Sequence, residues 1–175
     1  MTSLYLIIAF ALLYAWKKTR QFAIYFLPWL IFAVTYDSMR FYPNYLVNDI
    51  DVRGLYEAEK SLFGITASSS ADLQAIADHT NVMIPGEWFK VHHCGFADFM
   101  AGIFYLCWVP VPVAFALYLF FKKQYKWFMR FSWSFLVVNL IGFIGYYIHP
   151  ASPPWYVMNY GFEPILHTPG NVAGL

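Results

Sequence analysis

Four long apolar stretches, separated by polar segments, dominate the pattern of this chain. They occupy residues 3–16, 22–36, 96–121 and 131–148. At about 1.5 Å per residue the first would be a short span of about 21 Å, while the third and fourth are long enough to cross a bilayer. Pro28, Pro110 and Pro112 lie within the second and third stretches, and membrane helices tolerate proline because neighbouring groups satisfy the freed carbonyls. The pattern predicts an all-α polytopic transmembrane helical bundle of about four spans.

The composition supports a membrane protein and argues against a soluble one. Hydrophobic residues make up 60% of the chain, aromatic residues 22% and charged residues only 12%. Average soluble domains carry about 25% charged residues, so this chain could not cover a soluble surface. Its basic residues form two tight clusters beside apolar stretches rather than a stripe along a groove, which argues against a nucleic-acid partner.

The positions of the charges predict an orientation in the membrane. Seven of the eleven basic residues lie at 17–20 and 122–130, so the positive-inside rule places these two loops in the cytoplasm. The segment 39–95 contains seven acidic and four basic residues and is expected outside, with amphipathic pieces on the membrane surface. We therefore expect a single membrane domain over 1–175 with an extracytoplasmic segment over 39–95. The short loops fit a bacterial inner membrane, with the outer face periplasmic.

The fourth apolar stretch ends in a polar, proline-rich segment, 149–156, which we call the elbow. Pro150, Pro153 and Pro154 cannot continue a helix, and Trp155 and Tyr156 are residue types that prefer the membrane interface. One interpretation is a helix stop with aromatic anchors. The other is a stiff loop that lines a binding site on the outer face.

A charged pair closes the second stretch on the same predicted face. Asp37 and Arg40 are three residues apart and would share one side of a helix. They could form an ion pair at the interface, or Arg40 could bind a phosphate through its planar guanidinium. If the elbow and this pair line one pocket, the candidate substrate-binding residues are Asp37, Arg40, His149, Pro153, Pro154, Trp155 and Tyr156.

The remaining polar clusters give weaker signals. His92 and His93, beside Cys94 and followed by Asp98, could suggest a metal, but adjacent ligands rarely close a tetrahedral site. We therefore expect interfacial polar residues here and no metal. A disulfide between Cys94 and Cys107 is not expected, because one lies at the edge of the third stretch and the other inside it. No cofactor is expected, since the chain has no glycine-rich phosphate loop.

Several segments resemble a known enzyme family. The elbow sequence Pro-Ala-Ser-Pro-Pro-Trp-Tyr at 150–156, Tyr-Gly-Phe at 160–162, and Pro-Gly-Asn-Val-Ala-Gly-Leu at 169–175 are similar to inositol phosphorylceramide synthases. That family is a branch of the type 2 phosphatidic acid phosphatase superfamily. Tyr-Asp-Ser-Met-Arg at 36–40 and the charged block at 48–64 resemble its bacterial members. The resemblance covers nearly the whole chain and is strongest over 150–155.

The resemblance implies a reaction and a place for this chain within it. Family members move phosphoinositol from phosphatidylinositol to a ceramide-type lipid, through a nucleophilic histidine activated by a second histidine and an aspartate. Those residues stand in Pro-Ser-Leu-His and His-x-x-x-Asp segments, neither of which occurs in this sequence. We therefore expect the N-terminal portion of a larger phosphotransferase, with no catalytic residue of its own. The alternatives are a lipid phosphate phosphatase of the same superfamily and a non-catalytic four-span subunit.

Overall fold

The computed structural model describes residues 2–165, which form ten α-helices, one short 3-10 helix and one pair of strands. The helices are α1 (Thr2–Ala15), α2 (Arg20–Tyr25), α3 (Leu27–Ser38), α4 (Arg53–Phe63), α5 (Ser70–Ala75), α6 (Pro85–Val91), α7 (Gly95–Leu106), α8 (Pro110–Phe121), α9 (Tyr125–Ile148) and α10 (Pro154–Tyr160). The 3-10 helix is Asn44–Leu46, and β1 (Ile65–Thr66) pairs antiparallel with β2 (Val82–Met83). The predicted all-α class is confirmed by this mostly helical architecture, although the strand pair was not expected. The segment 169–175, which carries part of the family resemblance, lies outside the described residues.

The lengths of the apolar helices bear on the predicted spans. Within the described residues, α9 is the one helix that is long and apolar enough to cross a membrane unaided. Helices α7 and α8 would supply a second crossing if the 50° bend between them falls inside one span. Helix α1 is apolar but short. By length and composition the structure thus supports one or two crossings, and the predicted number of four is not confirmed.

Proline explains why two of the predicted spans are divided. Pro28 is the second residue of α3 and Pro110 the first residue of α8, so each lies in a first helical turn rather than in a helix interior. The first-turn N–H groups have no partner within the helix, and a residue without an N–H loses nothing there. The helical conformation is interrupted just before each proline, at Phe26 and at 107–109.

The described chain forms two compact units, each made of two segments. The first unit contains residues 2–47 and 103–148. Its core consists of aromatic and aliphatic side chains from α3, α8 and α9, among them Trp29, Leu119 and Phe128. The Trp29 indole donates a buried hydrogen bond of 3.0 Å to Ser132 Oγ, which joins α3 to α9. Such a bond between apolar helices contributes about 0.6 kcal/mol and fixes their relative position.

The second unit contains residues 48–102 and 149–165 and has its own small core. Helix α4 is amphipathic and directs Tyr56 into a cluster with Val52, Ile84, Tyr156 and Val157. Two of these five residues, Tyr156 and Val157, come from α10, so the chain at the end of the elbow completes a core begun about 100 positions earlier. Whether the whole chain is one membrane domain, and whether 39–95 is extracytoplasmic, stay predictions.

The two units carry opposite charge. In the sequence the first unit holds eight basic residues and one acidic residue, Asp37, whereas the second holds three basic and nine acidic residues. The net charge of +1 therefore conceals a strongly basic unit and a strongly acidic one. On net charge alone, the basic unit is expected to attract anions more strongly than the acidic unit does.

A tight turn at 122–124 joins α8 to α9 in the first unit. The N–H of Lys123 donates to Phe120 O and that of Gln124 to Leu119 O, each at 2.9 Å. This pair of hydrogen bonds is typical of a helix end at which one residue adopts the left-handed conformation. Here that residue is Lys123, with a φ of 58°. The turn therefore places a lysine where glycine is the usual residue.

Candidate functional site

The elbow is held by backbone hydrogen bonds to the chain just before α4. The N–H of Asp51 donates to Pro150 O at 2.8 Å, and the N–H of Ser152 donates to Asp51 O at 2.9 Å. Together they form a parallel bridge between Asp51 and Ala151. Proline at 150 can serve here because only its carbonyl is used. The elbow is thus a fixed part of the second unit.

This bridge brings a histidine and a carboxylate together. His149 Nε2 lies 3.2 Å from Asp51 Oδ2, with the histidine side chain 66% exposed and the aspartate 28% exposed. The other oxygen, Asp51 Oδ1, accepts the N–H of Gly54 at 2.7 Å in the first turn of α4. One carboxylate oxygen therefore stabilises the helix start while the other contacts the imidazole. The outer edge of the imidazole faces solvent.

Gly54 allows this carboxylate to approach the start of α4 closely. A Cβ at position 54 would lie 2.4 Å from Asp51 Oδ2 and 2.9 Å from Asp51 Oδ1, closer than real Cβ contacts. A side chain here would displace the Asp51 carboxylate from His149. The glycine therefore belongs to the site through its lack of a side chain.

Arg53 supplies an accessible positive charge on the same unit. Its Nη1 lies 3.5 Å from Glu57 Oε1, and its guanidinium carbon lies 4.6 Å from the centre of the Phe162 ring. Both charged side chains are well exposed, so this ion pair contributes little to stability. The guanidinium retains donors for an anion, for which its fork geometry is suited.

Neither Asp51 nor Arg53 is among the residues predicted from the sequence. Both fall in the charged block 48–64, which resembles the bacterial family members, but nothing in the sequence assigns a role within that block. The elbow contact spans about 100 residues and becomes visible only in the fold.

The aromatic residues of the elbow occupy different environments. Tyr156 is only 6% exposed; its hydroxyl donates to Glu163 O and accepts from the N–H of Ile165, both at 2.7 Å. It therefore anchors the segment after α10. Trp155 is half-buried against the same core, and Pro153 precedes α10, which begins at Pro154. A direct substrate contact by these residues stays a prediction.

The other predicted pair lies in the first unit. Arg40 Nη2 is 2.5 Å from Asp37 Oδ1 at the end of α3, with the aspartate side chain 8% exposed and the arginine 58% exposed. Asp37 thus holds the guanidinium on one side and leaves much of it accessible. The pair and the elbow belong to different units, and a pocket shared by both stays a prediction.

Two buried carboxylates organise the second unit. Glu87 accepts hydrogen bonds from the Tyr56 hydroxyl at 2.9 Å, the N–H of Ala77 at 2.8 Å and the N–H of Ile84 at 2.9 Å. Burial raises the pKa of the Tyr56 hydroxyl above its usual value, and the Glu87 carboxylate raises it further. Tyr56 is therefore a neutral donor at any physiological pH.

Asp72 is the second of these carboxylates. The N–H of Ser68 holds the pKa of Asp72 well below its ordinary range, and His92 Nε2, at 2.9 Å, lowers the pKa further. A capping box with Ser69 at the start of α5 adds to this arrangement. The neighbouring His93 faces a different carboxylate, with Nδ1 2.9 Å from Asp98 Oδ2. The two adjacent histidines therefore have separate partners.

A cavity of about 520 Å³ lies in the first unit, beside α9. Its lining is aromatic, with Tyr36, Trp108 and Tyr146 among its residues, and Asn139 adds one polar group. The Asn139 amide already donates to Phe135 O at 2.8 Å. An apolar chain fits such a lining better than a charged headgroup does.

Comparison with known proteins gives the family. The family model described as PAP2 superfamily matches residues 77–173, more than half of the chain. The chain belongs to the PAP2 superfamily. It is also 57% identical, over all 175 of its residues, to phosphoinositol dihydroceramide synthase of Bacteroides thetaiotaomicron. These findings confirm the resemblance described from the sequence. No solved structure matches the chain.

The chain spans about half the length of this relative. All of this chain is covered by the alignment, but only 52% of the relative is. The matched part includes the charged block, the elbow and the Asp37–Arg40 pair.

Proposed function

We propose that this chain forms part of a membrane enzyme that transfers phosphoinositol from phosphatidylinositol to a ceramide-type lipid. The observation that carries the proposal is the 57% identity, over all 175 residues of the chain, to a protein named for that product. The catalytic histidines and aspartate of the reaction would lie outside these 175 residues, in the part of the enzyme that corresponds to the other half of the relative. The membrane lipids are then the partners of this chain.

The contribution of the second unit would be to receive the charged headgroup. A phosphodiester carries one negative charge, and the exposed side chains of Arg53 and His149 offer donors to it in this unit. The unit as a whole carries more acidic than basic residues, and Arg53 and His149 are the two exposed side chains that we assign to the headgroup. Asp51 would hold the imidazole in one orientation, as carboxylates commonly do for histidines in active sites.

The contribution of the first unit would be to hold lipid. Arg40, oriented by Asp37, would offer donors to a lipid phosphate, and the aromatic cavity beside α9 would receive an apolar chain. We place the elbow on the periplasmic face of a bacterial inner membrane, because the basic clusters at 17–20 and 122–130 favour the cytoplasmic side. Exclusion of water from such a site favours transfer over hydrolysis.

The test is a transfer assay with the full-length protein in mixed micelles. Phosphatidylinositol labelled in the inositol ring and a dihydroceramide are supplied, and products are separated by chromatography and identified by mass spectrometry. We expect a labelled phosphoinositol lipid that depends on the dihydroceramide. Release of free inositol phosphate with no lipid product would identify a phosphatase instead, and no turnover of either kind would favour a non-catalytic subunit.

Variants link the assay to the elbow. His149→Ala removes an exposed histidine that is paired with a carboxylate, and His93→Ala is its matched control. His93 is likewise exposed and paired, but with Asp98 and outside the elbow. We expect His149→Ala to lower the transfer rate at least tenfold and His93→Ala to leave it within about twofold. Equal effects from the two variants would remove the elbow from the site.

A further inference from the structure

A second cavity, of about 480 Å³, lies in the first unit at the end of the α8–α9 hairpin. Helix α9 contributes Trp127, Arg130 and Ser134, and Gln124 precedes it. Their spacing of three and four residues places the helical members on one face of α9. Helix α8 contributes Phe115 and Leu119, four residues apart. The cavity is therefore a groove with polar groups from one helix and apolar groups from both.

Positive charge is concentrated around this groove. Arg130 follows Lys122, Lys123 and Lys126, and the sequence has no acidic residue between Asp98 and Glu163. In the described part of the chain, none of these four cations forms an ion pair with a carboxylate. A basic cluster beside an apolar groove favours an anionic ligand that also has an apolar portion.

The geometry of Arg130 suits a phosphate group. Its guanidinium carbon lies 5.3 Å from the centre of the Trp127 ring, so one face of the ion is covered by the indole. Its N–H donors point outward in the plane and can bind two oxygens of one phosphate. The Gln124 amide and the Ser134 hydroxyl provide further donors in the same groove.

From these observations the geometry points to a binding site for an anionic phospholipid. The phosphodiester lies at Arg130, and an acyl chain follows the apolar wall of Phe115 and Leu119. A lipid fits better than free phosphate, because most of the wall is apolar and Trp127 is a residue type of the membrane interface. The groove shares no residue with the elbow, and this proposal does not depend on the reaction proposed above.

The experiment measures lipid binding rather than activity. Full-length protein in detergent is titrated with phosphatidylglycerol or with phosphatidylcholine, and bound lipid is counted by native mass spectrometry. Inorganic phosphate is added in a parallel series as a competitor. The variants are Arg130→Ala, Arg130→Lys and Ser134→Leu, which fills the groove without changing charge. Lys17→Ala is the matched control, since it removes the same charge from the same unit without lining the groove.

We expect phosphatidylglycerol to bind at least tenfold more tightly than phosphatidylcholine. Arg130→Ala should weaken it by roughly tenfold or more, the size of one charge-assisted contact, and Arg130→Lys by less. Ser134→Leu should weaken it although all charges remain, so the test holds even if Arg130→Ala folds poorly. Lys17→Ala should stay within about twofold.

Three results would each overturn the assignment. Unchanged phosphatidylglycerol binding in Arg130→Ala and Ser134→Leu would remove the groove as the site. An equal loss in Lys17→Ala would show a general attraction between charges. Full displacement of the lipid by millimolar inorganic phosphate would show a site for free phosphate rather than for a phospholipid.

Discussion

The pairing of Asp51 with His149 permits a prediction in which stability and activity separate. Asp51→Ala removes both interactions of the carboxylate: the hydrogen bond from Gly54 at 2.7 Å and the contact with His149 at 3.2 Å. A side-chain acceptor at a helix start contributes about 0.5–2 kcal/mol. The exposed contact with His149 adds up to about 1 kcal/mol, because water screens it. We expect Asp51→Ala to lower the free energy of unfolding by about 1–2 kcal/mol.

Asp51→Asn separates the two interactions. The asparagine oxygen can still accept from Gly54, and Asn is as good as Asp at a helix start, so stability should fall by less than about 1 kcal/mol. The negative charge that orients His149 is lost, however. We therefore expect Asp51→Asn to transfer phosphoinositol as slowly as His149→Ala while it unfolds much like the wild type. Gly54→Ala should also slow transfer, because the new Cβ displaces the same carboxylate.

The assay measures both quantities on the same preparations. Unfolding of the full-length protein in mixed micelles is followed by tryptophan fluorescence during titration with SDS, and the transfer rate is expressed per folded molecule. Transfer at the wild-type rate by Asp51→Asn, together with slow transfer by His149→Ala, would show that the Asp51 charge does not orient the imidazole. Equal destabilisation by Asp51→Asn and Asp51→Ala would show that the asparagine oxygen does not keep the hydrogen bond from Gly54.

Further predictions concern other parts of the chain. A cysteine placed at Thr19 should resist an impermeant reagent added outside intact cells; labelling would contradict the orientation. Arg40→Ala should cut transfer per folded molecule by roughly tenfold or more and Arg40→Lys by less, whereas a purely structural arginine would change only the yield. Asp72 has a lowered pKa, so the stability it contributes is present above the pKa of the unfolded chain and lost as pH falls toward the folded value. The gap in unfolding midpoint between wild type and Asp72→Asn should therefore narrow below about pH 4, and a constant gap would contradict this. The 175-residue chain expressed alone should show no transfer, since it has no Pro-Ser-Leu-His or His-x-x-x-Asp segment; product above a mock preparation would place the nucleophile within it.

The sequence predicts the helices better than it predicts how they combine. All four apolar stretches contain helices, as predicted, because the run of apolar residues that indicates a membrane helix can be seen within the stretch itself. Whether two helices separated by a proline form one straight span depends on packing, and Pro28 and Pro110 instead begin new helices. The Asp37–Arg40 ion pair follows from helical spacing, so it could be predicted.

The elbow shows where prediction from a single sequence stops. Its prolines and aromatic residues mark it as unusual, but its partner is the backbone of Asp51, and backbone hydrogen bonds leave no signature in residue type. Likewise Glu87 and Asp72 look like surface carboxylates in the sequence. Their burial becomes visible only when the N–H groups and side chains that satisfy them are brought together by the fold.

The bridge between Asp51 and Ala151 has a consequence for the order in which the protein can be made. About 50 residues, including all of α8 and α9, separate the two segments of the second unit along the chain. At about 5–20 residues per second, translation of that stretch takes several seconds. During this time Val52 and Tyr56 have no Tyr156 and Val157 to pack against. The core of the acidic unit therefore stays incomplete, and accessible to chaperones and proteases, until the α8–α9 hairpin and then the elbow have been synthesised.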